Sequence, residues 1–201
     1  MNRVCSIFAQ LLQLFPREKF QQAVKKHKAE RHARGFTCWG QFVAMLFCQL
    51  GAARSLREIC NGLAASEGKL RHLGIPNAPS RSTLAYANEH RPAKLYEDLF
   101  YTALKRFRDE EGLGLRKKKF RFKNKLLSLD STTISLCLEL FPWAKFRRAK
   151  GGIKLHTLLE IHSAIPVFIA ITEALLHDVN LLDVVLPEPG SFIVIDRKSV
   201  V

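Results

Sequence analysis

The chain predicts an α+β protein in which the helices come first and the strands last. Two observations carry this. Up to about residue 112, apolar residues recur at three- and four-residue spacing; beyond residue 125 they alternate or run together in short β-branched stretches. Charge divides along the same line: residues 1–125 hold 25 Lys/Arg against 10 Asp/Glu, residues 126–201 only 7 against 8. The expected organisation is a helical module over 1–112, a basic connector over 113–125 and an α/β part over 126–201.

Each element has its own signal. "SIFAQLLQLF" is helical and stops at Pro16, and "REKFQQAVKKHK" sets Phe20, Ala23, Val24 and His27 on one face. In "CWGQFVAMLFCQL", Trp39, Phe42, Val43, Leu46, Phe47 and Leu50 repeat with helical period before Gly51. "SLREICNGL" opens on a capping box of Ser55 and Glu58, with Gly62 as the expected stop. "SRSTLAYANEHRP" offers Ser82 or Thr83 as N-cap and ends at Pro92, and the next helix aligns Leu95, Leu99, Ala103 and Phe107 up to Gly112. The period then changes. "LLSLDSTTISL" (126–136), "IKLHTLLEIH" (153–162), "PVFIAIT" (166–172) and "SFIVID" (191–196) read as strands, and "VNLLDVVL" as a short helix bounded by Pro187. In the second strand Leu155, Thr157, Leu159 and Ile161 fall on one side; His156, Leu158, Glu160 and His162 fall on the other, read as a solvated face. His177–Asp178 reads as the entry cap of the short helix, with Asp178 as the capping residue and an active-site role as the alternative.

A net charge of +14 on 201 residues calls for an anionic partner, nucleic acid or an acidic membrane surface. The longest apolar runs, such as "FVAMLFC", fall far short of the ~20 residues of a spanning helix, and no signal-peptide cleavage site follows the amino terminus. Five cysteines without a C-x-x-C pair read as free thiols in a reducing cytosol.

Asp130 and Asp196 are the candidates for chemistry. A strand carrying an acid, a hairpin of two strands, a crossover helix and a last strand ending in an acid let the first and last strands run parallel, with both carboxylates at the same end of neighbouring strands. Such a pair suits Mg²⁺ or Mn²⁺, and two ions about 3.5–4 Å apart support in-line phosphoryl displacement. The same positions also suit aspartates that open turns.

"LLSLDSTTISLCLELFPWAKFRRAKGGIKLHTLLE", "IPVFIAIT", "HDVN" and "GSFIVID" together resemble the insertion-sequence-four family of DDE transposases. "FTCWGQFVAMLFCQL", "SLREI", "LRHLGI" and "SRSTLAYANEHRP" are similar to the helical module that precedes the catalytic core in one branch of that family. The resemblance implies a helical DNA-binding module followed by a ribonuclease-H-like core, here incomplete. It implies Asp130 and Asp196 as the first two acids of a catalytic triad, and Mg²⁺ or Mn²⁺ as the metal. The partners it implies are the element's terminal repeats, target DNA and a second copy in a synaptic complex. It implies a bacterial, nucleoid-associated protein of the cytoplasm, with no membrane and no small-molecule cofactor. Two departures stand out: "RKSVV" replaces the family's Gly-Tyr continuation after Asp196, and the glutamate of the Tyr-Arg-Glu-Lys signature has no counterpart. The expectation is therefore a truncated copy that does not transpose DNA alone. The alternative is a DNA-binding regulator or inhibitor of transposition.

Candidate DNA contacts follow. "SLREICNGL" and "SRSTLAYANEHRP" have helix-turn-helix character, with Arg81, Ser82, Asn88 and Arg91 facing DNA; an ordinary capped helix is the alternative. Lys117, Lys119, Arg121, Lys123 and Lys125 form a basic row read as an edge strand or a solvated linker. Lys145, Arg147, Arg148, Lys150 and Lys154 form a second cluster near the acids, with Trp143 placed to stack on a base; a surface loop is the other reading.

Overall fold

A computed structural model describes residues 7–31, 33, 35–66, 68–110, 124–136, 145–147, 150–185 and 187–195. The chain is α+β and divides into two compact units, Met1–Arg106 and Phe107–Val201.

The first unit is built from α1 (Ile7–Gln13), α2 (Arg17–Lys26), α3 (Cys38–Leu50), α4 (Leu56–Ala65), α5 (Arg81–His90) and most of α6 (Lys94–Glu110), with a 3₁₀ turn at Leu70–Leu73. Its core gathers Phe20, Val24, Trp39, Val43, Ile59, Leu63, Leu70, Leu84, Leu95 and Leu99. The Ser55–Glu58 box forms: Ser55 Oγ accepts from the Glu58 amide at 3.2 Å, and Glu58 Oε2 accepts from the Arg54 amide at 2.9 Å. Two expectations change. Ser80, not Ser82 or Thr83, caps α5, accepting from the Thr83 amide at 3.1 Å. Gly62 does not stop α4. It lies inside the helix because a Cβ there would sit 2.7 Å from the Phe47 ring, so hydrogen is needed for close packing.

In the second unit the described strands are β1 (Leu126–Leu136), β2 (Lys145–Arg147), β3 (Lys150–Glu160), β4 (Ile165–Glu173) and β5 (Phe192–Ile195). β3 pairs antiparallel with β1 on one edge and with β2 and β4 on the other, while β5 pairs parallel with β1. The expected crossover helix is a 3₁₀ turn, Asp178–Asp183. Its Leu181, with Val185 beyond it, covers one face of the sheet, where Leu127, Leu129 and Leu158 are buried with Phe168, Ile193 and Ile195 against them. β4, a continuous apolar run in the sequence, is half-buried and exposes Ile171.

The β3–β4 hairpin closes on Ala164, whose φ of 57° is a left-handed value that an alanine adopts at a cost. Its amide still donates to the Glu160 carbonyl at 2.8 Å, which fixes the turn. Ala164→Gly is therefore expected to raise stability by about 1 kcal/mol in a urea titration. Among the described residues no helix is long and apolar enough to cross a membrane.

Candidate functional site

Asp130 stands on β1 where the strand's alternation turns it away from the core. Leu127 and Leu129 point into the packed face, so Asp130 falls on the opposite one, where it is exposed. Its Oδ1 accepts from the Ser131 amide at 2.8 Å, and its partner across β3 is Thr157. Along β5 the parallel pairing runs from Leu126–Phe192 to Leu129–Ile195. The described pairing thus stops at the residues that directly precede Asp130 and Asp196. Asp196 itself lies outside the described residues. Among the described residues, no group of three or more His, Cys, Asp or Glu side chains could hold a metal ion.

Behind Asp130, on the packed face, lies a polar cluster that sequence reasoning missed. Ser131 pairs with His156 across the sheet, and its hydroxyl donates to Asp178 Oδ2 at 2.9 Å. Asp178 Oδ1 lies 2.9 Å from His156 Nδ1, close but poorly aligned for a hydrogen bond, and 3.6 Å from Lys154 Nζ. Nε2 of His156 faces the Thr172 hydroxyl at 2.7 Å, and Lys154 Nζ donates to the Leu176 carbonyl at 2.8 Å. His156 is wholly buried, which overturns its reading as part of a solvated face. Burial holds its imidazole below the ordinary histidine pKa, against the opposing pull of the Asp178 carboxylate; Lys154 adds to the depression. Asp178 is not a helix cap either: His177 occupies that position without a side-chain cap bond, and the Asp178 carboxylate turns into the cluster. Lys154, expected to face DNA, is likewise held by Leu176 and Asp178. No local spacing could have revealed this set, because its members come from β1, β3, β4 and the 3₁₀ turn.

The proposed DNA contacts divide. Arg81 and Ser82 are exposed in the first turn of α5. Asn88 accepts from Gln41 Nε2 at 2.7 Å, and Arg91 donates to the carbonyls of Phe36 and Thr37 and to Gln41 Oε1. These two side chains hold α5 against α3, so their polar groups are already engaged within the unit. Residues 66–80 join α4 to α5, a longer connection than the three- or four-residue turn of a compact helix-turn-helix. Lys145 and Arg147 fall on β2 and Lys150 opens β3. Lys125 is described and pairs with Glu188 at 2.8 Å. Lys117, Lys119, Arg121, Lys123, Trp143 and Arg148 lie outside the described residues. The free thiols of Cys38 and Cys60 are buried, and burial raises the Cys38 pKa to about 11.

The helical unit is where a comparison with known proteins finds a match. Residues 4–76 match the family model described as a domain of unknown function, DUF4372. DUF4372 is found in transposase-like proteins of unknown function. Its match takes in α1 to α4 and the 3₁₀ turn at Leu70–Leu73, and ends before α5 and the sheet. No curated protein and no solved structure matches the chain.

Proposed function

We propose that this chain belongs to a metal-dependent DNA transposase of the DDE type, with a helical DNA-binding module ahead of a ribonuclease-H-like catalytic sheet. The observation that carries this reading is the parallel, in-register pairing of β1 with β5, which brings the two strands together up to the residues before Asp130 and Asp196. The strand order supports it as well: β3 pairs antiparallel with both β4 and β1, and β5 joins the far side of β1 in parallel. Antiparallel neighbours need only hairpins, whereas the parallel pair needs a crossover, here containing the Asp178–Asp183 turn.

Asp130 fits the first-acid role because it is an exposed carboxylate at the start of an open sheet face, with hard oxygens of the kind Mg²⁺ and Mn²⁺ take. Asp196 would supply the second carboxylate. Bound there, the metal would lower the pKa of a water and neutralise charge on the phosphate. The water oxygen would form the new bond to phosphorus as the bond to the 3′ oxygen breaks; in the second step the freed 3′-hydroxyl would attack a target phosphodiester, its new bond to phosphorus forming as the target's own 3′ oxygen leaves and takes up a proton. The positive charge concentrated in residues 1–125 supports duplex DNA as the partner, with element ends held by a second copy in a synaptic complex.

The catalytic part of the reading is tested by Mg²⁺-dependent nicking of supercoiled DNA, using a polypeptide that also carries the third acid. Asp130→Ala is expected to abolish nicking. Undiminished nicking by that variant removes Asp130 from the chemistry.

A further inference from the structure

We infer that the groove between the segment after α2 and the exposed side of α5 binds an unpaired nucleotide of a nucleic-acid strand, its base stacked on Tyr86 and its phosphate held by Lys28 and Arg31. The inference extends the nucleic-acid-binding part of the function proposed above and does not involve the acidic pair.

Size, charge and aromatic content agree. The groove encloses about 810 Å³, within the range of about 300–1,000 Å³ of small-ligand sites. Lys28, Arg31 and Arg91 line it, and among its described lining residues none is acidic. An anionic occupant therefore meets positive side chains along the lining, with an exposed carboxylate, that of Glu89, 3.8 Å from His90 Nδ1. Arg91 is already bound to Phe36, Thr37 and Gln41, so it supplies a fixed positive floor, whereas Lys28 and Arg31 are exposed.

The wall of the groove carries Tyr86 and His90, one turn apart on α5. Their rings stack with centroids 3.9 Å apart and planes at 18°, and Tyr86 remains 59% exposed. A solitary exposed tyrosine is unremarkable on a protein surface. A flat ring pair set beside cations in a groove is a platform for a third flat ring. Bases within a duplex offer edges to a protein while their faces are stacked on one another, so a site of this kind selects a base free of its partner. Ser82 lines the same groove, with a hydroxyl suited to the sugar–phosphate backbone.

The test is an anisotropy titration of the full chain with a single-stranded 12-mer containing 2-aminopurine, a duplex of the same sequence, and free AMP. Stacking is expected to quench the 2-aminopurine signal. Tyr86→Ala should weaken single-strand binding about tenfold and abolish the quench, while duplex affinity stays within about twofold. Tyr86→Phe should restore both, which a folding defect would not allow. Single-strand affinity and quench unchanged in Tyr86→Ala, or AMP bound as tightly as the strand, overturns the inference. Duplex binding that survives this result leaves the proposed function standing; failure to bind DNA of either form removes the inference and the DNA-binding half of that function together.

Discussion

Asp178→Ala is expected to destabilise the sheet-bearing unit by roughly 3 kcal/mol, because it strips the shared partner from a buried polar cluster. In the native protein the carboxylate takes the Ser131 hydroxyl and faces both His156 and Lys154. Alanine would leave these groups without their anion beside the wholly buried His156, and an unmet buried polar group costs more than its bond contributed. Asp178→Asn, which keeps an acceptor for Ser131 but no charge, should lose less. Urea unfolding, read by hydrogen exchange of β1 and β3, measures both. The same cluster gives the unit a pH dependence. The folded state keeps His156 neutral below its ordinary pKa of 6.5, where the unfolded chain takes up a proton. Stability from this source is complete above about pH 6.5 and is lost as pH falls through that value towards the lower folded pKa. His156→Gln should flatten the stability profile below about pH 6.5. An unchanged profile would mean that His156 is not held neutral by burial.

Trp39→Ala is expected to cost the helical unit about 3–5 kcal/mol, the range for truncating a buried large aromatic residue. Trp39 is at the centre of its core. Phe20 meets it edge-on with centroids 5.0 Å apart, Phe42 lies at 5.6 Å, and the Arg17 guanidinium sits 4.2 Å above its ring. Its indole N–H also donates to the Leu73 carbonyl at 2.8 Å, which ties the 3₁₀ turn to α3. Alanine removes the packing and leaves that carbonyl unpaired; Trp39→Phe should recover most of the packing but not the hydrogen bond. Because the chain divides into two compact units, exchange should rise in α3 and α5 while β1 and β3 keep their protection. Equal loss in both units would show that they unfold as one.

The elements were legible where local chemistry decides them. The β-branched run after Asp130 marked β1 from Leu126 to Leu136, and Ser55 with Glu58 marked the start of α4. What stayed hidden depended on partners far along the chain. Both faces of β3 carry leucines, so alternation separated His156 from Leu155 without saying which face the core would take. That choice is made by Leu129, which pairs with Leu158, and by Leu181 in the 3₁₀ turn that covers them. The role of Asp178 depends on Ser131, 47 residues earlier. Gly62 misled because a glycine that ends a helix and one that admits a neighbouring ring look alike in sequence. At the candidate site the position of Asp130 and the parallel partner strand were readable, since both follow from strand order. The engagement of Asn88 and Arg91 within the helical unit was not, since charge alone says nothing about which donors are already bound.

The most direct measurement of the central claim is an electron paramagnetic resonance titration with Mn²⁺. The wild-type chain is expected to show saturable binding that is lost in Asp130→Ala and, separately, in Asp196→Ala, while Asp183→Ala, at an exposed acid of the 3₁₀ turn, keeps it. Mn²⁺ uptake that is the same in all three variants as in the wild type would mean that the two acids do not share an ion.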